Sequence, residues 1–505
     1  MKPAYIIVQA GGKGTRMGHV TANKPKALTP VDNLPMLFHL FRKYPDSRYI
    51  IIGDYKFDVL RRYLAAFADV DYRLIQATGY SGTCAGMSKA AHMVPDNTPF
   101  MLIWCDLILP KDFELPDEPG DYIGVARDFP CRWRYEQGVF AEERSDTAGV
   151  AGLFAFHDAQ LLRTAPEDGE LVRWLAGTGA AFEEMPLYRV KEYGLLSEYE
   201  KLGSARCRPF NRIHVEGDRF IKEAIDAQGR ALAARETAWY RRIEGQGFAN
   251  IPRIYGYEPL EMERIDGMSV YEYEDLTKEQ KSLILQQIVK CLKGVQSLES
   301  APADRASFDD AYVDKTFKRL EKVWDLVPFG RDETVTVNGR RCRNALYCRA
   351  EIERALKAYM PKLFRLIHGD CTFSNVMLRA DGTPVLIDPR GYFGLTELYG
   401  DPGYDWAKLY YSIVGNYDQF NRKRFRLTIA EDGVQLSVRS NGWEDMEDEF
   451  FKLLDGEVTR AQIRLLHAII WLSLTTYAWE DYDSVCGAFY MGLYYLEEAL
   501  NESVL

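Results

Sequence analysis

Two stretches of the chain carry residue types whose spacing suits phosphate chemistry. Near the N-terminus, Gln9-Ala10-Gly11-Gly12-Lys13-Gly14-Thr15-Arg16-Met17-Gly18 places three glycines in four positions. Glycine there lets the backbone approach a phosphate closely, with its N–H groups turned toward the anion. Arg16, Lys24 and Lys26 can neutralise a triphosphate. The spacing G-x-G-x-x-x-G is neither the dinucleotide fingerprint nor a P-loop. In the second half, Asp370 of Ile367-His368-Gly369-Asp370-Cys371-Thr372-Phe373-Ser374-Asn375 precedes Asn375 by five residues. Asp388 follows thirteen residues later, at the end of the apolar run Pro384–Ile387. A carboxylate that takes a hydroxyl proton, an amide oxygen and a second carboxylate that hold a metal on the phosphates are parts that phosphoryl transfer uses.

These residues need elements to hold them. Tyr5–Val8, Tyr49–Gly53, Tyr72–Ile75 and Phe100–Trp104 read as short strands, and Met36–Tyr44, Phe57–Phe67 and Ala85–Met93 as helices between them. That alternation predicts a parallel sheet covered on both faces, with ligands at the carboxyl ends of its strands. Gly11-Gly12 and Asp106 both follow strand ends and are predicted to face that crevice. The pattern breaks between Lys201 and Asn211, where a domain boundary is expected. Beyond it come antiparallel strands at Arg212–Val215 and Asp218–Ala224, a helix around Ala231–Ile243, and a mostly helical remainder. One hairpin is expected to interrupt that remainder, Arg424–Ala430 with Val434–Arg439, turning at Asp432-Gly433. No repeat or low-complexity tract is visible.

The string Gly-Gly-Lys-Gly-Thr-Arg-Met, then Thr21 and Pro25-Lys26-Ala27-Leu28, resembles the signature of the sugar-phosphate and choline-phosphate nucleotidyltransferases over roughly residues 4–200. The resemblance implies nucleotide contacts from Gly11, Gly12, Gly14 and Thr15, catalytic charge from Arg16 and Lys26, and base recognition at Gln76, Gly82 and Thr83. It makes Asp106 a Mg²⁺ ligand and Gly152 the glycine near the acceptor. In such a reaction a phosphomonoester oxygen attacks the α-phosphorus of a nucleoside triphosphate and pyrophosphate leaves, with no protein nucleophile. The family's second acidic ligand has no clean match: Glu198 and Glu200 are candidates, and the position stays open.

The Asp370–Asn375–Asp388 set resembles the aminoglycoside phosphotransferase and choline kinase family, whose fold is that of protein kinases, over roughly residues 210–500. The resemblance implies Asp370 as catalytic base, Asn375 and Asp388 as metal ligands, and Lys222 with Glu236 as the lysine on the α/β-phosphates and its ion-pair partner. His368 would support the loop, and Asp401 and Asp405 in Gly400–Ala407 would brace it. Two departures stand out: no glycine-rich loop covers the phosphates, and Pro389-Arg390-Gly391-Tyr392 replaces the usual continuation. Arg390 could hold a phosphate or an acid group of the substrate. Trp471, Tyr477, Trp479 and Tyr482 are either core residues or a cation–π box for a quaternary amine, beside Glu480, Asp481 and Asp483.

Together these readings predict an α/β Rossmann-like domain, with a mostly parallel sheet and helices on both faces, at residues 1–205. An α+β protein-kinase-like two-lobed domain is expected at 206–505, its small lobe 206–265 and its large lobe 266–505. Net charge of −11, 63 Lys+Arg against 74 Asp+Glu, argues against nucleic acid as a partner. Nine scattered cysteines without a C-x-x-C pair, and no apolar run long enough to span a membrane, predict a cytoplasmic protein with reduced thiols. The resemblances imply Mg²⁺ at both sites, ATP and an NTP as substrates, and small-molecule partners, with homo-oligomerisation left open. The expected function is phosphorylation of a small hydroxyl-bearing metabolite, then coupling of that phosphate to a nucleoside monophosphate, giving an activated precursor for surface polysaccharide or lipid decoration. The compact first domain tilts the nucleotide toward CTP. Two alternatives are an NDP-sugar made from a sugar with UTP or GTP, and one active half beside a nucleotide-binding regulatory or scaffold half.

Overall fold

A computed structural model describes residues 2–77, 79–118, 120–193 and 211–502. The chain divides into two compact units, Met1–Gly203 with Glu480–Tyr482, and Ser204–Trp479 with Asp483–Leu505. The segment 201–210, where the boundary was expected, lies outside the described residues, as do Glu198 and Glu200.

The first unit is built on a nine-stranded sheet. Strands β1 (Tyr5–Gln9), β2 (Arg48–Gly53), β3 (Tyr72–Gln76) and β4 (Phe100–Trp104) run parallel in the order β3-β2-β1-β4. Tyr-Ile-Ile-Val-Gln in β1 pairs residue for residue with Arg48–Ile52 on one side and Phe100–Trp104 on the other. Strands so apolar on both faces fit only the middle of a covered sheet. Tyr49 and Ile50 of β2 point to opposite faces. Ile50 clusters with Met87, Ala90, Leu171 and Leu175 of the helices Met87–Ala91 and Leu171–Thr178, so these cover one face. Tyr49 donates its hydroxyl to the carbonyls of Leu40 and Tyr44, with the Phe41 ring 4.7 Å away, so the helix Met36–Lys43 covers the other. Beyond β4 the sheet turns mixed: Gly149–Phe156 runs antiparallel to β4 and to Tyr122–Ala126, which pairs in parallel with Glu183–Leu187.

The second unit opens with a four-stranded antiparallel sheet from Asn211–Glu216, Arg219–Ala224, Ile254–Tyr257 and Leu260–Glu263, flanked by the helix α1 (Ala227–Gly245). The helices α2 (Lys278–Leu298), α3 (Lys315–Val323), α4 (Pro402–Ile413) and α5 (Arg460–Leu474) then dominate a larger helical part. That part holds more strand than the one expected hairpin. Val376–Arg379 pairs with Pro384–Leu386 and with Gly267–Ser269, and Leu363–Leu366 pairs with Ser300–Pro302 and Tyr399–Gly400. Strands of two to four residues are too short to show a period of two. The expected hairpin forms between Phe425–Ala430 and Gly433–Val438, but Ala430 pairs with Gly433, so the turn centres on Glu431-Asp432. None of the eight described cysteines is in a disulfide, and no helix among the described residues is long and apolar enough to cross a membrane.

The core of the helical part contains a titrating group. His467 on α5 is buried among the rings of Tyr410, Tyr411 and Tyr495, and its Nε2 accepts the Trp471 indole N–H at 2.9 Å. Burial, reinforced by the Arg464 charge, lowers its pKa from 6.5 to about 3. The unfolded chain therefore binds a proton that the folded one refuses, so stability is full above pH 6.5 and falls with pH below it. The slope is about 1.4 kcal/mol per pH unit, roughly 2 kcal/mol by pH 5. His467→Gln, which keeps an acceptor for Trp471, is expected to flatten the fall in the urea midpoint between pH 6.5 and 5. An unchanged slope would refute the assignment.

Candidate active sites

In the first unit, parallel pairing sends the loops after β1, β3 and β4 to one edge of the sheet, so Gly11–Arg16, Gln76 and Asp106 lie along it. Gly14 adopts φ +61°, a left-handed conformation that favours glycine, and its carbonyl accepts the Met17 N–H at 2.7 Å and the Thr21 hydroxyl at 3.2 Å. A Cβ on Gly12 would meet nothing within 4 Å, so no protein contact accounts for its missing side chain. The free space suits a ligand close against the backbone. Thr15 and Arg16 stand exposed at the start of a 3₁₀ turn. Lys26 is buried and its Nζ meets Asp106 Oδ2 in an ion pair. Gln76 is exposed at the end of β3. Gly82 and Thr83 are tied to the segment before Leu171: Thr83 Oγ1 accepts the Leu171 N–H at 2.7 Å. Lys24 does not join this group. It is buried with its Nζ 2.9 Å from Asp481 Oδ1 in the same compact unit, which leaves it no charge to spare for a triphosphate.

One residue here escaped sequence reasoning. Glu192 is brought beside Asp106 because Lys191–Glu192 pairs with Leu107–Ile108 and Tyr193 N–H donates to the Asp106 carbonyl. Burial raises the Glu192 pKa and the Asp106 charge raises it further, while Lys26 and Arg16 pull it down. Two carboxylates flanked by two cations form a donor set that fits a hard divalent ion sharing phosphate oxygens. Nothing in the local string Val190-Lys191-Glu192-Tyr193 marks that glutamate.

Gly152 has φ +82° in Gly149–Phe156, and a Cβ there would fall 2.0 Å from Trp104 Cδ2. Its absence lets the Trp104 indole lie against the strand, two residues before Asp106.

In the second unit, the loop 367–375 is pinned by Asp405. Its carboxylate accepts the backbone N–H groups of His368 at 3.0 Å and Gly369 at 2.7 Å. His368 is wholly buried, and burial holds its pKa below 6.5, so it is neutral. Its Nδ1 accepts the Asp370 N–H at 3.2 Å, which places the proton on Nε2, donated to the Ile387 carbonyl at 2.9 Å. His368 supports the loop and does not act as a base. Asp401 lies further off, capping α4 through the Gly403 N–H and accepting the Tyr312 hydroxyl at 2.8 Å.

Asn375 Nδ2 donates to the Asp370 carbonyl at 2.7 Å and to its Oδ2 at 3.1 Å. Two oxygen acceptors identify that end as the NH₂, leaving the amide oxygen for another partner. The Ile387 N–H donates to the Asn375 carbonyl at 3.0 Å, tying the strand end that carries Asp388 to this loop. Asp388 sits at φ +54°, in the left-handed region that few non-glycine residues adopt. Its Oδ1 is 2.7 Å from Lys222 Nζ, which also holds Glu236 at 2.8 and 3.0 Å. The Lys222 and Glu236 side chains are 13% and 8% exposed, too buried for a solvated surface pair. Burial drives the Glu236 carboxyl up and Lys222 draws it back down. A carboxylate and an amide oxygen beside this lysine fit a Mg²⁺ ion on a nucleotide's phosphates.

Lys222, Glu236, Asp370 and Asp388 open on one cavity of about 380 Å³, the size of a small-molecule site. Sequence reasoning missed Lys408, whose Nζ is 2.9 Å from Asp370 Oδ1, and Lys315 and Arg319 of α3. Lys408 alone had a signal, one helical turn beyond Asp405 on α4. The four-aromatic box is not formed: Trp471 is core, Tyr482 is buried, and only Tyr477 of the four lines the cavity. Tyr312, Tyr392, Tyr404, Tyr411 and Tyr417 supply its other rings. Where the sequence showed no Gly-rich cover, the hairpin Asn211–Glu216/Arg219–Ala224, turning at Gly217-Asp218, brings Asn211 and Ile213 to the cavity wall.

Residues 210–437 match the phosphotransferase enzyme family, and residues 6–113 match the MobA-like NTP transferase domain. Over 108 residues the chain is 31% identical to a UTP–glucose-1-phosphate uridylyltransferase of Haloferax volcanii, a match covering 20% of this chain and 43% of that protein. The chain thus spans less than half the length of this curated relative. The inositol-1-phosphate CTP transferase of T. maritima matches at 16% identity and TM-score 0.34, over 40% of this chain and 95% of that one. HddC from Yersinia pseudotuberculosis matches at 17% identity and TM-score 0.34, over 39% and 97%.

Asp405→Ala strands two buried N–H groups at once, each worth about 1–3 kcal/mol. The variant is expected to lower the urea midpoint of the second unit and to cut ADP formation sharply while pyrophosphate release persists. Full ADP formation in this variant would show that the loop is held by other contacts.

Proposed function

We propose that this chain, which joins an NTP transferase domain to a domain of the phosphotransferase enzyme family, catalyses two consecutive transfers. The second unit phosphorylates the hydroxyl of a small metabolite with ATP. The first unit then joins that phosphate to a nucleoside monophosphate, taking CTP in our reading, to make an activated precursor of the kind used in surface polysaccharide or lipid decoration. The observation that carries the proposal is the convergence of Lys222, Glu236, Asp370 and Asp388 on one cavity, within a unit whose chain-mate pairs Lys26 with Asp106 at a glycine-loop edge. A half kept only for regulation has no need of a catalytic base hydrogen-bonded in this way.

In the phosphotransferase half, Asp370 takes the acceptor's proton as its oxygen bonds the γ-phosphorus and the bond to the β-phosphate oxygen breaks, releasing ADP. Lys408 and the Asn375 amide hold the Asp370 carboxylate in place for that proton. Lys222, steadied by Glu236, meets the α/β-phosphates. Asp388 and the Asn375 amide oxygen would hold Mg²⁺, which would supply charge neutralisation for the phosphates. In the other half, Arg16 and Lys26 offset charge while the phosphomonoester oxygen attacks the α-phosphorus and pyrophosphate departs. Asp106 and Glu192 would hold the metal there. The domains are defined at 1–205 and 206–505 in this reading, with lobes meeting near residue 265. The 31% identical uridylyltransferase supports UTP as a second reading of the nucleotide.

Pyrophosphate release with each of four NTPs and a panel of phosphomonoesters tests the nucleotide, and none under any pairing would sink the first half of the proposal. Asp106→Asn is expected to lower pyrophosphate release at least about a hundredfold and leave ADP formation intact, with Asp370→Asn doing the reverse. Chelation of divalent cations stops both reactions, and Mg²⁺ restores them. If Asp370→Asn left ADP formation unchanged, the base would have to lie elsewhere.

A further inference from the structure

The cavity of the second unit holds more positive charge than phosphoryl transfer from a nucleotide calls for. Lys222 serves one end, beside Glu236 and Asp388, and Lys408 pairs with Asp370. Three further cations, Lys315, Arg319 and Arg390, also line it, and among the described residues none of them forms an ion pair with a carboxylate; Asp310 acts on Lys315, and Asp370 on Arg390, only through the field. Arg390 spends its two Nη groups on neutral phenols, Tyr404 at 2.7 Å and Tyr392 at 2.8 Å. Arg319 donates to the carbonyl of Ser473 and, at 3.1 Å, to its hydroxyl. Lys315 Nζ lies 5.8 Å from the centre of the Tyr404 ring, and among the described residues it makes no hydrogen bond.

These three belong to one field. Lys315 and Arg319 are one turn apart on α3. Arg390 is brought to the catalytic loop by its own N–H, which donates to the His368 carbonyl at 2.8 Å. Burial, then the charges of Arg390, Arg319 and Lys408, pushes the Lys315 ammonium well below its ordinary pKa, and Arg319 is lowered by burial and by Arg390. Like charges gathered in a sheltered pocket repel and lose solvation, and an anion entering among them relieves both penalties. The acids of the cavity wall are Glu236, Asp370 and Asp388, all committed to Lys222 or Lys408, so a cationic acceptor would find cations and no spare counter-charge.

We propose that the acceptor phosphorylated here carries an oxyanion besides its hydroxyl, a carboxylate or a phosphomonoester, seated on Lys315, Arg319 and Arg390. The hydroxyl is then presented to Asp370 while Arg390, between the phenols of Tyr392 and Tyr404, orients the acid group. This rests on the phosphotransferase reading above and narrows its substrate class, excluding quaternary amines and plain polyols as preferred acceptors.

The test uses the full chain with ATP and Mg²⁺, and measures ADP formation with probes matched in skeleton. These are glycerate, glycerol 3-phosphate and glycerol, then ribonate, ribose 5-phosphate and ribitol, with choline and ethanolamine as cations. The expected result is kcat/KM at least about tenfold higher for an anionic member than for its neutral counterpart, the size of one charge-assisted contact. Which anion leads tells carboxylate from phosphomonoester. Lys315→Met and Arg319→Gln are expected to raise KM for the anionic probe about tenfold and to shrink the anionic-over-neutral ratio. Arg319→Lys, which keeps the charge, recovers part of it. A leading amine or polyol, or a ratio unmoved by all three variants, overturns the proposal and leaves the phosphotransferase standing. No ADP formed with any probe overturns the phosphotransferase reading itself, and this one with it.

Discussion

Asp405 is a carboxylate with no exposed surface, held by backbone N–H groups rather than by a salt bridge, and the phosphotransferase half is organised around it. The loop 367–375 has only a 3₁₀ turn at Phe373–Asn375 and no long strand, so the buried amides of His368 and Gly369 find a side chain. Once His368 and Gly369 are fixed, His368 bridges to both ends of the Ile387–Arg390 segment, accepting at its carbonyl from Arg390 and donating from its ring to Ile387. Asn375 returns a further bond from the same loop to Ile387. Asp370, Asn375, the strand end that carries Asp388, and Arg390 thus share one hydrogen-bonded frame. Their precision follows from backbone bonds whose donors and acceptors cannot move without leaving a buried group unpaired.

The nucleotidyltransferase half solves a different problem. Its positioning device is the sheet itself: apolar central strands, parallel and in register, deliver their following loops to one edge. Charge there is balanced by Lys26 on Asp106. In the proposed reading, Asp106 would hold a cation, which would take up part of that pairing and leave Lys26 to face phosphate. Lys222 on Asp388 has the same relation in the other half, a lysine occupying the carboxylate that a metal would use. Both units thus hold a lysine of the proposed site in an ion pair with a carboxylate.

The phosphotransferase cavity departs from that balance at one end only. Where Lys222 and Lys408 have acids, Arg390 has two phenols, Arg319 has a carbonyl and a serine hydroxyl, and Lys315 faces only the Tyr404 ring. Neutral partners orient a cation without neutralising it, which keeps its charge available to a ligand. The Arg390 substitution in an otherwise familiar string, visible in the chain as Pro389-Arg390-Gly391-Tyr392, gains its meaning from helix α3 packed beside it.

What the sequence determined by itself is what covalent spacing controls. A glycine loop directly after a strand, and Asp370, Asn375 and Asp388 within nineteen residues, keep their geometry because a short chain has few ways to fold between them. The alternating apolar runs of the first hundred residues likewise reported the parallel sheet, since burial on both faces leaves no other arrangement. Tertiary structure alone decided the rest. Glu192 reaches Asp106 only through a two-residue strand pairing, and Arg319 reaches Arg390 from seventy-one residues away. The aromatic segment misled because four rings close in sequence point in different directions once α5 ends: Trp471 into the core, Tyr477 into the cavity. Side-chain direction across separate elements depends on packing, and packing is a property of the whole core rather than of any local string.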